Sequence, residues 1–311
     1  MADRAAAPDV SAVIAAYNIE GYVVRAIRSA LDQQGVAIEV VVVDDGSSDG
    51  TVDAVLSIGD PRVRLLRTAG NGGPGGARNL AFAEASAPWL AVLDGDDAWR
   101  PDRLARCLAL ATRHSADIVV DNLEARRESD GTARVMFGQD ILPEPILGLE
   151  AFILGNCDFL GGTSLGYLKP VFSSAFLRGK NLSYDPALRI GEDYVLLADA
   201  LAEGAVCAVD PEPGYLYTVR SGSISHRLTS VDVSRIVEGD RQFMARHRLG
   251  PAALAALARR EDRLREALAF TDLVGALKAR DLVSALGLAL RRPGLLWHLR
   301  HALLNRVKAL G

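Results

Sequence analysis

Three carboxylates, Asp94, Asp96 and Asp97, crowd into four positions where the apolar run Leu90–Leu93 stops. Like charges this close repel, and at a strand end the repulsion is tolerable where water, hydrogen-bond donors or a bound cation offsets it. The stretch LAVLDGDDAW therefore points to a metal site rather than a random acidic loop. Other stretches hold groups capable of chemistry. DDGSSDG contains Asp44 and Asp45, Tyr17 and Asn18 follow Ala16, GGPGGARN leads to Arg78, and RIGEDYVLLADAL opens on Glu192 and Asp193. Each has an ordinary reading when taken alone. Asp, Asn and Gly dominate turns, and two acids at a helix start complement its positive end. Asp97 reads as a solvated or helix-capping residue, and Arg78 as a group that reaches a nucleotide, the acids or only solvent.

Further along, TVRSGSISHR supplies Arg220, Ser223, His226 and Arg227, and GTSLGYLKPVF supplies Tyr167, Lys169 and Phe172, which either shape a pocket or pack. GNGGPG satisfies GxGxxG at Gly70, Gly72 and Gly75, with Asp94 roughly twenty residues on, as a dinucleotide fingerprint asks. That fingerprint belongs in the first βα turn of a nucleotide fold, whereas two strands already precede this one, and Pro74 restricts Gly73.

These groups need elements to hold them. From residue 10 to 122, short β-branched runs alternate with helical patterns, the arrangement that builds a parallel sheet from βαβ units. VSAVIAA, IEVVVV, VRLL and WLAVL read as successive strands, and the polar motifs fall at their carboxyl ends, where ligands bind in open α/β sheets. IEVVVV lacks polar alternation, so both its faces should be covered. Pro101 suits the first turn of the helix RPDRLARCLALATRH. Residues 125–190 are less regular, with turn signals suited to lining a cleft. GEDYVLLADALAEGA is a helix, AVCAV and GYLYTV read as two further strands, and the pattern after about 230 is helical. The expected divisions are 8–100, 101–228 and a helical extension 229–311.

Composition bounds the function. With 49% hydrophobic and 24% charged residues over 311, the chain should bury a large core. A net charge of −4 argues against a general nucleic-acid binder. Cys107, Cys157 and Cys207 lie far apart without a CxxC pattern, which disfavours disulfides and thiolate metal sites. MADRAAAPDV lacks a long apolar core and no run of about 18 apolar residues occurs, so a cytosolic chain without a spanning helix is expected. The tail carries Arg291, Arg292, Arg300, Arg306 and Lys308 without an acid, and Leu296, Leu299, Leu303, Val307 and Leu310 share one helical face. That pattern suits packing on the core or an anionic membrane surface.

The order YN, DDGSSD, GGPGGARN, DGDD and, about a hundred residues later, GED resembles family 2 glycosyltransferases of the GT-A fold over roughly residues 10–225. The resemblance implies an α/β, Rossmann-like, mostly parallel sheet flanked by helices, followed by the helical extension. It implies an inverting transfer from a UDP-sugar, glucose being the guess, to a glycan hydroxyl, favouring a lipid-linked oligosaccharide in exopolysaccharide or surface-glycan assembly. Nucleotide binding falls to Ala16, Tyr17, Asn18, Asp44, Asp45, Arg78, Asp94 and Gly95, with Asp45 on the uracil. Asp96 becomes the ligand of Mn²⁺ or Mg²⁺, with His226 as a second. Asp193 becomes the base, with Glu192 in reserve, and Tyr167, Lys169, Arg220, Ser223 and Arg227 serve the acceptor or the diphosphate. The implied location is the cytoplasm, at the inner face of the plasma membrane if the tail binds lipid. Two competing readings stand beside this one: an NAD(P)-dependent oxidoreductase using GNGGPG, and a non-catalytic nucleotide-sugar-binding protein.

Overall fold

A computed structural model describes residues 7–142, 144–159, 164–188, 190–220, 230–292 and 294–295. Ser223, His226, Arg227 and the tail from Leu296 lie outside the described residues. The chain forms two units, one of residues 1–152 and 165–223, the other of 153–164 and 224–311.

The first unit is built on a sheet whose opening strands are β1 (Val10–Ala16), β2 (Ile38–Asp44), β3 (Val63–Arg67) and β4 (Trp89–Asp94). Between them run α1 (Val23–Leu31), α2 (Thr51–Leu56) and α3 (Pro74–Glu84). Valine, isoleucine and alanine fill β1, β2 and β4 without alternation because helices cover the sheet, and these strands are almost wholly buried. α1 is amphipathic, with Val23, Ala26, Ile27 and Ala30 turned inward.

The sheet continues through β5 (Ala98–Trp99), β6 (Ile118–Arg127), β7 (Ala133–Val135), β8 (Val171–Ser173) and β9 (Cys207–Val219). Its order is β3-β2-β1-β4-β8-β6-β9-β5, with β7 beside β6. Strands β1 to β4 pair in parallel, as do β6 and β9, whereas β8 runs antiparallel to β4 and β6. α4 (Arg103–His114), α5 (Leu149–Leu154), α6 (Ser174–Gly179) and α7 (Glu192–Ala202) complete the intervening segments, with a 3₁₀ turn at Leu165–Tyr167.

Two boundaries differ from the sequence reading. AVCAV and GYLYTV form one strand, β9, rather than two. Its pairing with β6 jumps from Asp121↔Asp210 to Asn122↔Pro213 and then to Leu123↔Tyr215, so Pro211 falls among the residues that the irregularity leaves unpaired and Pro213 sits between two register shifts, instead of ending the strand. α4 begins at Arg103 after Asp102, leaving Pro101 in the preceding turn.

The second unit is helical: α8 (Ser230–Arg246), α9 (Pro251–Lys278) and α10 (Leu282–Arg291). Arg260 of α9 is buried, pairs with Asp240 of α8 at 2.9 Å and donates to the Asn156 carbonyl. No helix among the described residues is long and apolar enough to cross a membrane. The three cysteines are free thiols, and burial pushes those of Cys107 and Cys207 far up.

Candidate active site

Strand register brings the polar motifs together. Ala16 lies opposite Asp44, and Ala15 opposite Asp94, so the YN, DDGS and DGDD segments leave the sheet side by side at its carboxyl edge. Tyr17 is exposed there, and Asn18 adopts a positive φ of 51° while its side chain accepts from the Ser48 amide.

The second acid of DDGS faces the glycine loop. Asp45 is buried and accepts from Thr68 Oγ1 at 2.9 Å, Gly72 N at 3.1 Å and Gly73 N at 2.8 Å. The amides of GNGGPG that a dinucleotide fingerprint would direct at a pyrophosphate are thus turned to a carboxylate. Asp44 is fully buried, holds the Ser47 amide and lies 3.5 Å from Arg67 Nε.

A charged network joins β4 to α7. Arg78, in the second turn of α3, places Nη2 2.6 Å from Asp94 Oδ1, and Nη1 3.0 Å from both Glu192 Oε1 and Asp193 Oδ1. Lys169, two residues before β8, places Nζ 2.8 Å from Asp94 Oδ2 and 2.6 Å from Asp193 Oδ2. Both cations are buried. Burial opposes their charge, but Asp193 and Asp94 outweigh it and hold both pKa values well above the ordinary range. Burial likewise works against ionised Asp94, yet Lys169 and Arg78 pull its pKa down, whereas burial and the neighbouring Asp193 raise that of Glu192. Gly191, with φ 85°, turns the chain into α7 through a conformation that side chains disfavour, so the acid pair starts the helix facing this network.

The remaining acids of DGDD have separate fates. Asp97 is buried, contrary to the solvated or capping role read from sequence. Its Oδ2 accepts from Tyr215 Oη at 2.8 Å and its Oδ1 from Thr218 N at 2.7 Å, while Tyr215 Oη accepts from Asp94 N at 3.0 Å. The turn is sewn to β9, an arrangement without any sequence signal. Arg25 of α1 adds bonds to the Asp96 carbonyl and Thr218 Oγ1. A Cβ at Gly95 would lie 2.2 Å from Ile19 Cδ1 and 3.3 Å from the Ala15 carbonyl oxygen, so a side chain there would have to displace Ile19.

Asp96 alone points away from this framework. Its side chain is 23% exposed, and Oδ2 lies 2.8 Å from Arg220 Nη2, itself over the Tyr22 ring. Burial and then the charge of Asp94 raise the Asp96 pKa against the opposing pull of Arg220. Among the described residues no three His, Cys, Asp or Glu side chains form a cation cage. The donor set nonetheless fits a hard dication of the kind that takes one or two carboxylates and completes its shell with substrate phosphates and water. The Tyr167 ring lies edge-on to that of Tyr217 at 5.5 Å.

Residues 11–173 match Glycosyl transferase family 2. The chain is 47% identical over 304 residues to the succinoglycan biosynthesis protein ExoO of Rhizobium meliloti (strain 1021), covering 97% of this chain and 87% of that protein. Among solved structures, S. aureus TarS 1–349 in complex with UDP-GlcNAc aligns with a TM-score of 0.65 at 18% identity, over 92% of each chain. The mannosyltransferase PcManGT from Pyrobaculum calidifontis, in complex with GDP-Man and Mn²⁺, aligns at 0.61 and 18%, over 95% of this chain and 84% of that one. At such identities the two structures establish the fold, which is that of GT-A glycosyltransferases. The family match, the near full-length likeness to ExoO and the strand-end acids agree: the chain belongs to the family 2 glycosyltransferases.

Proposed function

We propose that the protein transfers a sugar from a UDP-sugar to a glycan hydroxyl with inversion at the anomeric carbon. The observation that carries this reading is the pair of bridges, Arg78 and Lys169, uniting Asp94 of the DGD turn with Asp193 of α7. A donor-side acid and an acceptor-side acid thereby belong to one site.

Of about four acceptor positions on the Asp45 carboxylate, three are used by the loop, and the last, on Oδ2, suits a uracil N–H. Tyr17 and Asn18 border the base, and Ala16, Asp44 and Gly95 supply the backbone edge beneath the nucleotide. Asp94 orients the ribose or sugar through its two cationic partners. Asp96 holds Mg²⁺ or Mn²⁺, with His226 as a second ligand in this reading. When bound, the ion stabilises the charge on the departing diphosphate. Asp193 accepts the acceptor hydroxyl's proton as oxygen bonds to the anomeric carbon and the bond to the diphosphate breaks. Arg78 and Lys169 fix the carboxylate's orientation, which lets it meet the hydroxyl without reorganising. Arg220, Ser223 and Arg227 serve the diphosphate, and Tyr167 the acceptor side.

Likeness to ExoO, a succinoglycan biosynthesis protein, supports exopolysaccharide assembly as the setting; a lipid-linked oligosaccharide as acceptor, at the cytoplasmic face of the membrane, completes the reading. Calorimetry with UDP and Mn²⁺ tests the core of this reading. Asp96→Ala should abolish metal-dependent UDP binding while leaving the unfolding midpoint near that of the parent, because a turn acid whose side-chain partner is the partly exposed Arg220 contributes little to the core. Unchanged Mn²⁺-dependent affinity would remove Asp96 from the site.

A further inference from the structure

α10 meets α9 with one face only. Ala285 and Leu288 pack among Leu273, Ala269, Phe270 and Ala276, with Leu295 in the same cluster. At about 100° per residue, Leu282, Val283, Leu286 and Leu290 fall within a single arc of roughly 100°, turned away from that seam. Their exposures are 70%, 85%, 62% and 74%. Single exposed apolar residues are ordinary, but four large ones sharing a helix face mark a surface that meets something else.

The surrounding charge identifies that partner. Lys278 and Arg280 precede α10, Arg291 and Arg292 close it, and all four are exposed. Residues 273–311 hold seven Lys and Arg against one acid, Asp281, whose carboxylate is occupied capping the Ser284 amide. The preceding 272 residues hold 28 basic against 38 acidic ones, so positive charge is segregated to this stretch of a net negative chain, and Lys278, Arg280, Arg291 and Arg292 bring it to the ends of α10. A symmetric contact with a second copy would oppose like charges across the same patch. An anionic bilayer satisfies both features, since its acyl boundary takes the leucines while its headgroups take the basic side chains.

We propose that α10 lies in the plane of an anionic membrane surface, with Leu282, Val283, Leu286 and Leu290 entering the acyl boundary. The anchor is thus α10 itself, and none of its residues is among those assigned to the donor.

Co-sedimentation of the full chain with vesicles tests this directly. The parent should partition onto phosphatidylcholine–phosphatidylglycerol vesicles and scarcely onto phosphatidylcholine alone, with salt weakening the binding. The variant Leu282→Ser/Leu286→Ser/Leu290→Ser should bind roughly tenfold more weakly or worse. Leu254→Ser, an exposed leucine on α9, and Leu299→Ser/Leu303→Ser in the tail should bind as the parent does. Circular dichroism and UDP affinity should be unchanged throughout, which separates a lost membrane contact from misfolding or a failed donor site. A parent that ignores anionic vesicles overturns the proposal, as does full binding by the α10 variant or loss confined to the tail variant. Sedimentation equilibrium showing a dimer that the α10 substitutions dissociate would assign the face to a second copy instead.

Discussion

Asp193 accepts from two cations, one on each carboxylate oxygen, and is only 11% exposed. A proton acceptor held this way is aimed, and its contribution falls in the transition state rather than in donor binding. Asp193→Asn keeps the shape and one hydrogen-bonding oxygen. It should lower kcat by about 10²- to 10⁴-fold and leave UDP affinity unchanged, as read by transfer assays beside calorimetry. Glu192→Gln is the companion, because Glu192 shares Arg78 but not Lys169. An inactive Glu192→Gln beside a fully active Asp193→Asn would exchange their roles.

At the scale of elements, the turn between β4 and β5 owes its shape to β9. Asp97 receives the hydroxyl of Tyr215 and the amide of Thr218, and Tyr215 in turn receives the Asp94 amide, so the acids leave β4 along a path dictated by a strand more than a hundred residues distant. Burial, then the charges of Asp94 and Asp96, push the Asp97 pKa well above the carboxylate range. Asp97→Ala removes the acceptor while its donors stay buried. The expected loss is about 1–3 kcal/mol for each donor left unpaired, measured by urea unfolding. A loss below about 0.5 kcal/mol would mean that water replaces the carboxylate and that the turn does not depend on β9.

Across the first unit as a whole, one buried ion pair links the packing of the helices to the site. Arg103 of α4 grips Asp121 of β6 at 2.7 Å, both almost fully buried, between the rings of Trp99 and Tyr215. The same guanidinium donates to the Lys169 carbonyl at 2.7 Å, just where the chain delivers that lysine to Asp94 and Asp193. Removing one member strands the other charge in the core. Arg103→Met should therefore destabilise the fold by about 3–5 kcal/mol, and Arg103→Met/Asp121→Leu should recover much of it. Failure of the double variant to recover would show that the aromatic and carbonyl contacts, not the stranded carboxylate, set the cost.

The sequence by itself determined what short-range chemistry governs. Unalternated apolar runs make VSAVIAA, IEVVVV and WLAVL buried strands, Gly and Asp end them in turns, and their alternation with helical patterns makes a parallel sheet whose carboxyl edge bears Asp45, Asp94 and Asp96. Only the tertiary structure decided which cations and amides those acids meet: Asp94 takes Arg78 and Lys169, Asp45 the amides of the glycine loop, and Asp96 the guanidinium of Arg220. Arg78 meets Glu192 and Asp193 across 114 and 115 residues, and Asp97 meets Tyr215 across 118. A single sequence read for periodicity and turn chemistry holds no mark of such pairings, so Asp97 read as solvated, Lys169 as a pocket or packing residue, and β9 as two strands. The exposed face of α10 was hidden for the same reason: a leucine at helical spacing reads alike whether another helix covers it or none does, and only packing distinguishes the two.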